Sequence, residues 1–583
     1  MTSASQLPED GSVLLKLPPS RKGTSPCLGV RRTGDRTSGD RTTATDEAAR
    51  ALARIRALRI GGAFWRAPAT VPPAFARAGW TLVSLPADAD AATCLWHRAQ
   101  DMAPGENLLG LAEPGADVAA ITRLGGTVLR GVEPHALVDG ATRIVSSGCD
   151  DAALLGVAYG RPVSLLGADG RATTLSHAQA CAWLADGIVW RSPFHPGPAT
   201  LSDMVQVVED ARRTWARLHD IAVWVGIAWW KRRRIREFCG SVGLDAVFRR
   251  SARGAVRAAL GRGGPVAVWT SRVPRGLDAR AARAGVALRR VEDGFVRSVG
   301  LGSDLLPPSS VVVDARGIYF DPSRPSDLET LLHDTSFDAT LRQRAGQLRA
   351  LLVARGVSKY GMGSGAAEAP GIRCPDDRRV IVVPGQVGDD LSIRLGAQPG
   401  LGVVRDNLAL VQAVRAENPD AYVIFRPHPD VDAGHRKGAV PDAEVLRHAD
   451  QIARGGPMTA LITLADEVHT MTSLAGFEAL LRGRAVTAYG TPFYAGWGLT
   501  QDRAPATGRR GKPLHPDDLV AGALVLYPLY LDPLTRLPCG PEVLVSRLAD
   551  PALWRPSLAV RIRRLQGRLR HTFANLVARR SRS

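Results

Sequence analysis

Residues 470–502, TMTSLAGFEALLRGRAVTAYGTPFYAGWGLTQD, carry the pattern on which the reading of this chain turns. A strand from about Asp466 ends at Thr470–Ser473, and Gly476 opens a turn. Phe477–Leu481 then begins a helix with Glu478 near its first turn, Gly483 stops it, and AVTAYG follows as a buried strand. A helix N-terminus in such an α/β unit offers amide donors to phosphate or carboxylate oxygens, and a nearby Ser or Thr hydroxyl adds another. Glu478 is placed to accept from vicinal hydroxyls such as those of a ribose. The same spacing also fits a capped helix followed by an aromatic core loop. PFYAGWG bears on that choice, because three aromatics among glycines are costly to leave exposed unless they pack or bind something.

Working outward, an internal echo appears. IVSSGCDDAALLGVAYGRPVSLLG (144–167) parallels VHTMTSLAGFEALLRGRAVTAYG (468–490), and GIVWRSPFHP (187–196) parallels ALVLYPLYLDP (523–533). The first copy lacks the Gly–Phe–Glu triplet, placing Asp150 and Asp151 near the acidic position, and has no PFYAGWG. Two tandem copies of one lobe type, the first chemically depleted, and a chance likeness between two strand–helix–strand units both fit. Elsewhere, apolar runs such as PVAVWTS, SSVVV, VIVVPGQ and AYVIFRPHPD alternate with helical periodicity. The expected domains are 1–47 as a mobile segment outside the fold, 48–204 as a partial α/β domain, 205–370 and 371–545 as two Rossmann-like lobes, and 546–583 as a basic amphipathic tail. DARG (314–317) reads as a turn between strands SSVVV and IYF.

Composition narrows the classes. A chain of 583 residues, 45% of them apolar, is long enough for several cored domains. The 75 basic residues outnumber 56 acidic ones, for a formal charge of +19, so anionic partners are expected: nucleic acid, anionic lipid, or phosphorylated and acidic sugars. Seven scattered cysteines show no metal-ligand spacing, which fits a reducing compartment. No apolar run reaches eighteen residues and MTSASQLPEDG is not a signal peptide, so a cytoplasmic protein touching a membrane surface is expected. The tail 551–583 has nine arginines, one histidine and no acid, interleaved with apolar residues. It reads as an amphipathic helix on anionic lipid, with packing on the protein or a nucleic-acid contact as alternatives.

Three further stretches have the chemistry of a site. Glu292–Asp293–Gly294–Phe295, followed by Arg297, can point carboxylates into a cleft, or form a solvated turn. VVPGQVGDDLSI brings Gln386, Asp390 and Ser392 to a strand end, where an Asx-capped helix start is equally natural. IFRPHPD sets Arg426 and His428 at another strand end, and His428 there is a candidate for stabilising a departing phosphate or a donor carboxylate.

The stretch TSLAGFEALLRGRAVTAYGTPFYAGWGLTQD resembles the C-terminal signature of the bacterial capsule polysaccharide β-Kdo transferases, and Glu292–Ser298 matches that family's ED-G-F-x-R-S motif. The family usually has Asp–Gln–Thr where this chain has Gly385–Gln386–Val387, and Arg426 replaces a more usual Lys. The resemblance implies a GT-B-like pair of lobes preceded by a partial, degenerate module, and a retaining transfer from CMP-Kdo. It assigns Asp390 as nucleophile, Glu292 as acceptor-side acid/base and Asp293 as structural. Gln386, Ser392, Arg426, Lys437, Ser473, Gly476 and Glu478 become donor-binding residues, with Ser473 and Glu478 on phosphate and ribose. The implied partners are CMP-Kdo, a lipid-linked oligo-Kdo acceptor, the anionic inner-membrane surface and other capsule synthesis or export proteins. CMP leaves with a single phosphate, so arginine, histidine and helix-end amides can neutralise it, and neither a cofactor nor a metal is expected. A non-catalytic capsule assembly scaffold is the alternative. Nucleic-acid binding rests on charge alone, with no zinc-finger, RRM or KH pattern behind it.

Overall fold

The computed structural model describes residues 14–19, 26, 28–31, 41–73, 75, 79–167, 169–297, 306–358, 361–362, 371–397, 404–434, 436–505 and 507–554. The chain forms two compact units, one of Met1–His219, Glu237–Asp245 and Thr535–Cys539, the other of Asp220–Arg236, Ala246–Leu534 and Gly540–Ser583.

The first unit runs β1 (Gly29–Arg31), α1 (Arg41–Leu58), β2 (Thr81–Ser84), β3 (Leu108–Ala112), β4 (Thr127–Arg130), β5 (Arg143–Ser146), α2 (Asp151–Ala158), β6 (Val163–Leu166), β7 (Ala172–Thr174), α3 (His177–Asp186), β8 (Ile188–Trp190) and α4 (Leu201–Leu218). Its main sheet is ordered β4–β3–β2–β5–β6–β7, parallel except for β7. Val83, Leu95, Trp96, Ile121 and Val145 share its core.

The second unit holds two lobes. The first contains β9 (Val223–Val225), β10 (Phe248–Arg249), α5 (Ala252–Arg262), β11 (Val266–Trp269), β12 (Leu288–Asp293), β13 (Ser310–Asp314), α6 (Asp327–Asp334) and α7 (Ala339–Ala354). The second contains β14 (Val380–Pro384), α8 (Leu391–Gly396), α9 (Asn407–Glu417), β15 (Tyr422–Arg426), α10 (Pro429–Asp432), β16 (Gln451–Ile452), β17 (Glu467–Thr470), α11 (Leu474–Leu481), β18 (Ala485–Ala488) and β19 (Gln501–Asp502). Every residue of β14 is buried, as expected of a central parallel strand covered by helices on both faces. The sheet of this lobe is ordered β16–β15–β14–β17–β18–β19 and is wholly parallel.

That order, third–second–first–fourth–fifth–sixth, is also the order in the first unit, and β5–α2–β6 occupies the place that β17–α11–β18 occupies in the second lobe. The two sheets thus share a strand order, which is the common order of doubly wound α/β domains, and they differ in the direction of the sixth strand, antiparallel in the first unit and parallel in the second lobe.

Several expected boundaries shift. The segment expected to be mobile, 1–47, contributes Leu14, Leu15, Leu17 and Leu28, all fully buried, and β1 pairs antiparallel with β8. The apolar run VLLKL is the signal that the expectation of a mobile segment passed over. The first unit's long helix α4 carries on to Leu218, past the expected boundary at 204. After β19 the chain leaves the second lobe: α12 (Pro516–Val520), a π-helical turn at Ala521–Leu526, β20 (Leu529–Leu531) and α13 (Pro541–Leu548) follow, and β20 pairs with β13 of the first lobe. The turn expected at DARG is present, with Asp314 accepting from the Arg316 and Gly317 amides, but the stretch IYF after it forms no strand. The tail beyond Trp554, read as an amphipathic helix, lies outside the described residues.

In the first unit His135 is fully buried, with Nε2 3.1 Å from the Gly61 carbonyl and Nδ1 3.1 Å from the Tyr159 hydroxyl. A carbonyl only accepts, so Nε2 carries a proton, and in the neutral ring Nδ1 accepts from the Tyr159 hydroxyl. Burial lowers its pKa from 6.5 to about 4. The folded value lies below the unfolded one, so the unfolded chain gains the proton first as pH falls. The contribution of the neutral ring is whole above about pH 6.5 and is lost toward pH 4, a difference of about 3 kcal/mol. Urea unfolding of the first unit, followed by amide exchange, should show a lower midpoint at about pH 4.5 than at about pH 7.5, and His135→Gln should flatten that dependence. An equal slope in variant and wild type would contradict this role.

Candidate active site

Three neighbouring strands deliver the residues of the site. β14 ends at Pro384, β15 at Arg426 and β17 at Thr470, and they lie side by side as β15–β14–β17. The chain enters this sheet at β14, adds strands on one side and then on the other, so the crevice beyond β14 and β17 is the switch point at which open α/β sheets place ligands. A cavity of about 1050 Å³ opens there, and Thr270, Ser271, Glu292 and Asp293 of the first lobe complete its wall.

Of the residues expected from the sequence, Glu292, Gln386, Asp390, Ser392, Arg426, His428, Ser473 and Glu478 all line this cavity. Lys437 and Gly476 are not part of its wall. Lys437 is exposed, its carbonyl accepting from the Gly388 amide, and Arg436, one position earlier, reaches the cavity instead. Gly476 is a packing residue: a Cβ there would sit 2.3 Å from the Tyr494 hydroxyl oxygen. That hydroxyl donates to the Ser473 carbonyl at 2.6 Å. The helix α11 thus begins at Leu474, three residues before the expected start, and places Gly476 within it.

Asp390, His428 and Ser473 stand at the N-caps of α8, α10 and α11. The Asp390 carboxylate makes no capping bond and accepts instead from the Ser392 hydroxyl at 2.6 Å. His428 Nδ1 accepts from the Asp430 amide at 3.1 Å, so a neutral ring there carries its proton on Nε2 and acts as a donor from that nitrogen. Ser473 Oγ accepts from the Ala475 amide at 3.2 Å.

Gln386 and Arg426 line the cavity, yet their polar atoms already hold protein. Gln386 Oε1 accepts from the Thr472 amide (2.9 Å) and the Thr470 hydroxyl (3.2 Å), and Nε2 donates to the Thr472 hydroxyl (3.1 Å). This one side chain braces the loop after β14 against the loop after β17, across the switch point itself. Arg426 donates to the Ala453, Gly455 and Gly456 carbonyls at 3.1, 2.6 and 2.9 Å, and burial lowers its pKa. Both side chains shape the site through the loops they fix.

On the facing lobe, Asp293 pairs with Lys231 and with the buried Arg297, each at 2.9 Å, while its own amide donates to Glu292 Oε1 at 3.1 Å. Lys231 Nζ lies 3.5 Å from the centre of the Trp269 ring. Burial lowers the Lys231 pKa and the two neighbouring carboxylates, Asp293 first, oppose that shift. These two ion pairs anchor the chain next to Glu292. Sequence reading missed Lys231 because it opens the run KRRR, where nothing tells the inward residues, Lys231 and Arg234, from their outward neighbours. It also missed Arg394, an exposed helical arginine that reaches the cavity from the Asp390 loop.

The aromatics of PFYAGWG pack. Phe493 lies 4.7 Å from Phe295 and 5.2 Å from Phe477, centre to centre, and Tyr494 and Trp497 are fully buried. In the first unit the equivalent helix start differs. Asp150 caps α2 and its carboxylate accepts from Ala153 N, Ser84 Oγ and Ser146 Oγ at 2.8, 2.7 and 2.7 Å. A buried carboxylate thus sits at the helix end where the second lobe has the Ser473 hydroxyl. Among the described residues, no group of three or more His, Cys, Asp or Glu side chains is placed to hold a metal ion.

The family described as capsule polysaccharide biosynthesis protein matches residues 265–352 and 341–531. Capsule polysaccharide modification protein LipA of Neisseria meningitidis serogroup A is 41% identical over 337 residues, 58% of this chain and 46% of that protein. Lipopolysaccharide-processing protein LpsZ of Rhizobium meliloti is 46% identical over 253 residues, 43% of this chain and 56% of that protein. The chain therefore spans about half the length of these curated relatives. Among solved structures, the β-Kdo 2,7 transferase of Thermosulfurimonas dismutans KpsC is 33% identical, with a TM-score of 0.47 over 57% of this chain and 99% of that one. The β-Kdo 2,4 transferase of the same protein is 28% identical, with a TM-score of 0.48 over 56% and 98%.

The packing of Gly476 is open to direct test. Gly476→Ala should lower stability by about 1–3 kcal/mol, the cost of overpacking a close contact, and Tyr494→Phe in the same chain should restore part of it by removing the nearest atom. Thermal unfolding of the wild type and the two variants checks this; an unperturbed Gly476→Ala would show that the helix and the aromatic loop are not locked together.

Proposed function

Since the chain belongs to the capsule polysaccharide biosynthesis protein family, we propose that the cavity of its second unit is the active site of a glycosyltransferase that moves Kdo from CMP-Kdo, with retention, onto a Kdo-terminated lipid acceptor during capsule assembly. The observation that supports this most is the meeting of two carboxylates from opposite lobes, Glu292 and Asp390, with His428 and the capped start of α11 in one cavity at a sheet switch point.

The chemistry follows from the donor. Its anomeric carbon is quaternary and bears a carboxylate, so the transition state has oxocarbenium character and an anionic oxygen on one face stabilises it. A carboxylate oxygen of Asp390 forms a bond to that carbon as the carbon–oxygen bond to CMP breaks, and CMP leaves with the electron pair. The α11 amides, the Ser473 hydroxyl and the His428 Nε2 proton are suited to the phosphate, with Glu478 on the ribose. An acceptor hydroxyl then attacks the same carbon, its proton passes to Glu292, and the bond to Asp390 breaks. Two inversions leave the configuration retained. Ser392, bonded to Asp390, orients the nucleophile.

Metal independence is part of the proposal, because these donors neutralise a monoester phosphate without a divalent ion. The first unit, with Asp150 already at its helix end, is proposed not to bind the nucleotide, so the chain builds one type of linkage or works with a partner transferase. Among the described residues no helix is long and apolar enough to cross a membrane, and the proposed place of action is the cytoplasmic face of the inner membrane.

Incubation with CMP-Kdo and a synthetic Kdo-terminated lipid acceptor, followed by product mass and linkage analysis, tests the reading. Wild type should add Kdo with or without EDTA, Asp390→Asn should lose at least about a thousandfold in kcat, and His428→Ala should lose about a hundredfold. No transfer to any Kdo acceptor would favour the assembly scaffold instead.

A further inference from the structure

The outer part of the first lobe of this unit carries a surface that the transfer reaction does not use. Trp229 is 72% exposed, the largest exposure of a bulky apolar side chain among the described residues. It lies in the segment that follows β9, residues 226–236, GIAWWKRRRIR. The segment around and after β10, 246–257, reads AVFRRSARGAVR, and that after β11, 270–276, reads TSRVPRG. Because β10, β9 and β11 are adjacent and parallel, these three segments emerge side by side at one edge of the sheet.

Together the three segments contain eleven basic residues and no carboxylate. Lys231 and Arg234 are buried, whereas Arg233, Arg236, Arg249, Arg250, Arg253, Arg272 and Arg275 are exposed. The patch is also partly built. The guanidinium groups of Arg232 and Arg236 lie 5.6 and 5.0 Å from the centre of the Phe248 ring, and Arg249 Nη1 donates to the Phe248 carbonyl at 3.0 Å. Stacking on the ring holds those charges at the surface with less loss of side-chain freedom on binding than isolated arginines would suffer. The third segment continues inward, where Thr270, Ser271 and Val273 line the large cavity.

We propose that this rim docks on an anionic lipid bilayer, with Trp229 seated among the headgroups. A broad surface of one sign, spread over three successive strand ends, is the complement of a charged plane. An exposed indole takes its most favourable position where apolar and wet phases meet. Each basic residue held near an anionic surface adds attraction that salt screens. Continuity with the cavity gives the surface its use, since an acceptor anchored in that bilayer would emerge at the mouth of the site.

Hydrogen exchange on the full chain, with phosphatidylcholine vesicles containing or lacking phosphatidylglycerol, tests this locally. Protection of 226–236 and 246–257 by the anionic vesicles, reversed by salt, is expected. Trp229→Ala with Arg249→Glu and Arg250→Glu should abolish that protection and weaken vesicle binding about tenfold or more, while Arg249→Lys with Arg250→Lys should keep both. Protection confined to 555–583, or appearing with a soluble acidic oligosaccharide and not with vesicles, would overturn the proposal. The readout is binding, so its failure and failure of the transferase reading are told apart.

Discussion

Phe295 sits between Phe493, at 4.7 Å, and Tyr319, at 4.7 Å, with Phe477 6.0 Å away, and the site depends on that contact. Phe295 is three residues from Glu292 in the first lobe, and Phe477 is four from Ser473 in the second. Burying these rings against one another sets where the acceptor-side carboxylate stands relative to the donor-side helix end. Ring pairs of this kind add about 0.5–1.5 kcal/mol beyond their area. Around them, Glu329 of α6 accepts from Arg509 and Arg510, and Arg510 donates in turn to the Pro492 and Ala495 carbonyls. The loop that looked like a binding loop in the sequence is thus the seam that makes the cavity, with Gly476 letting Tyr494 approach the start of α11 and Gly496 and Gly498 taking the positive φ angles of the turn.

The two sheets that share a strand order meet their switch points differently. Each has a capped helix start there. In the second lobe the cap is a small hydroxyl and the nearby brace is Gln386, a neutral side chain satisfied on both its oxygen and its nitrogen. In the first unit the cap is Asp150, and burial raises its pKa while Ala153 N, Ser84 and Ser146 pull it back. The helix start of the first unit is thus already occupied by a side chain of the chain itself, whereas that of the second lobe opens on the cavity.

Much of this was legible in the residues. Runs such as VIVVP and YVIFR have no alternation because both faces are covered, so their burial and their strand ends followed from composition, and eight of the ten expected site residues do line one cavity. What was not legible depends on contacts distant in sequence. Gly476 reads as a turn until Tyr494 is placed against it, Lys231 is one basic residue among several until Asp293 pairs with it, and the return of β20 to the first lobe cannot be read from its own three residues. The leucines at 14–17 form a run too short to reveal its partner, and it is the contacts Leu17 N to Pro26 O and Leu28 N to Leu15 O that tie them to the segment leading into β1.

The central claim is that Asp390 bonds to the transferred sugar. Rapid acid quench after mixing with CMP-Kdo without acceptor, followed by peptide mass spectrometry, measures it directly. The account predicts one Kdo esterified to the peptide containing Asp390 and lost when acceptor is added. Product formation with no adduct there, or with the sugar on another side chain, would contradict it.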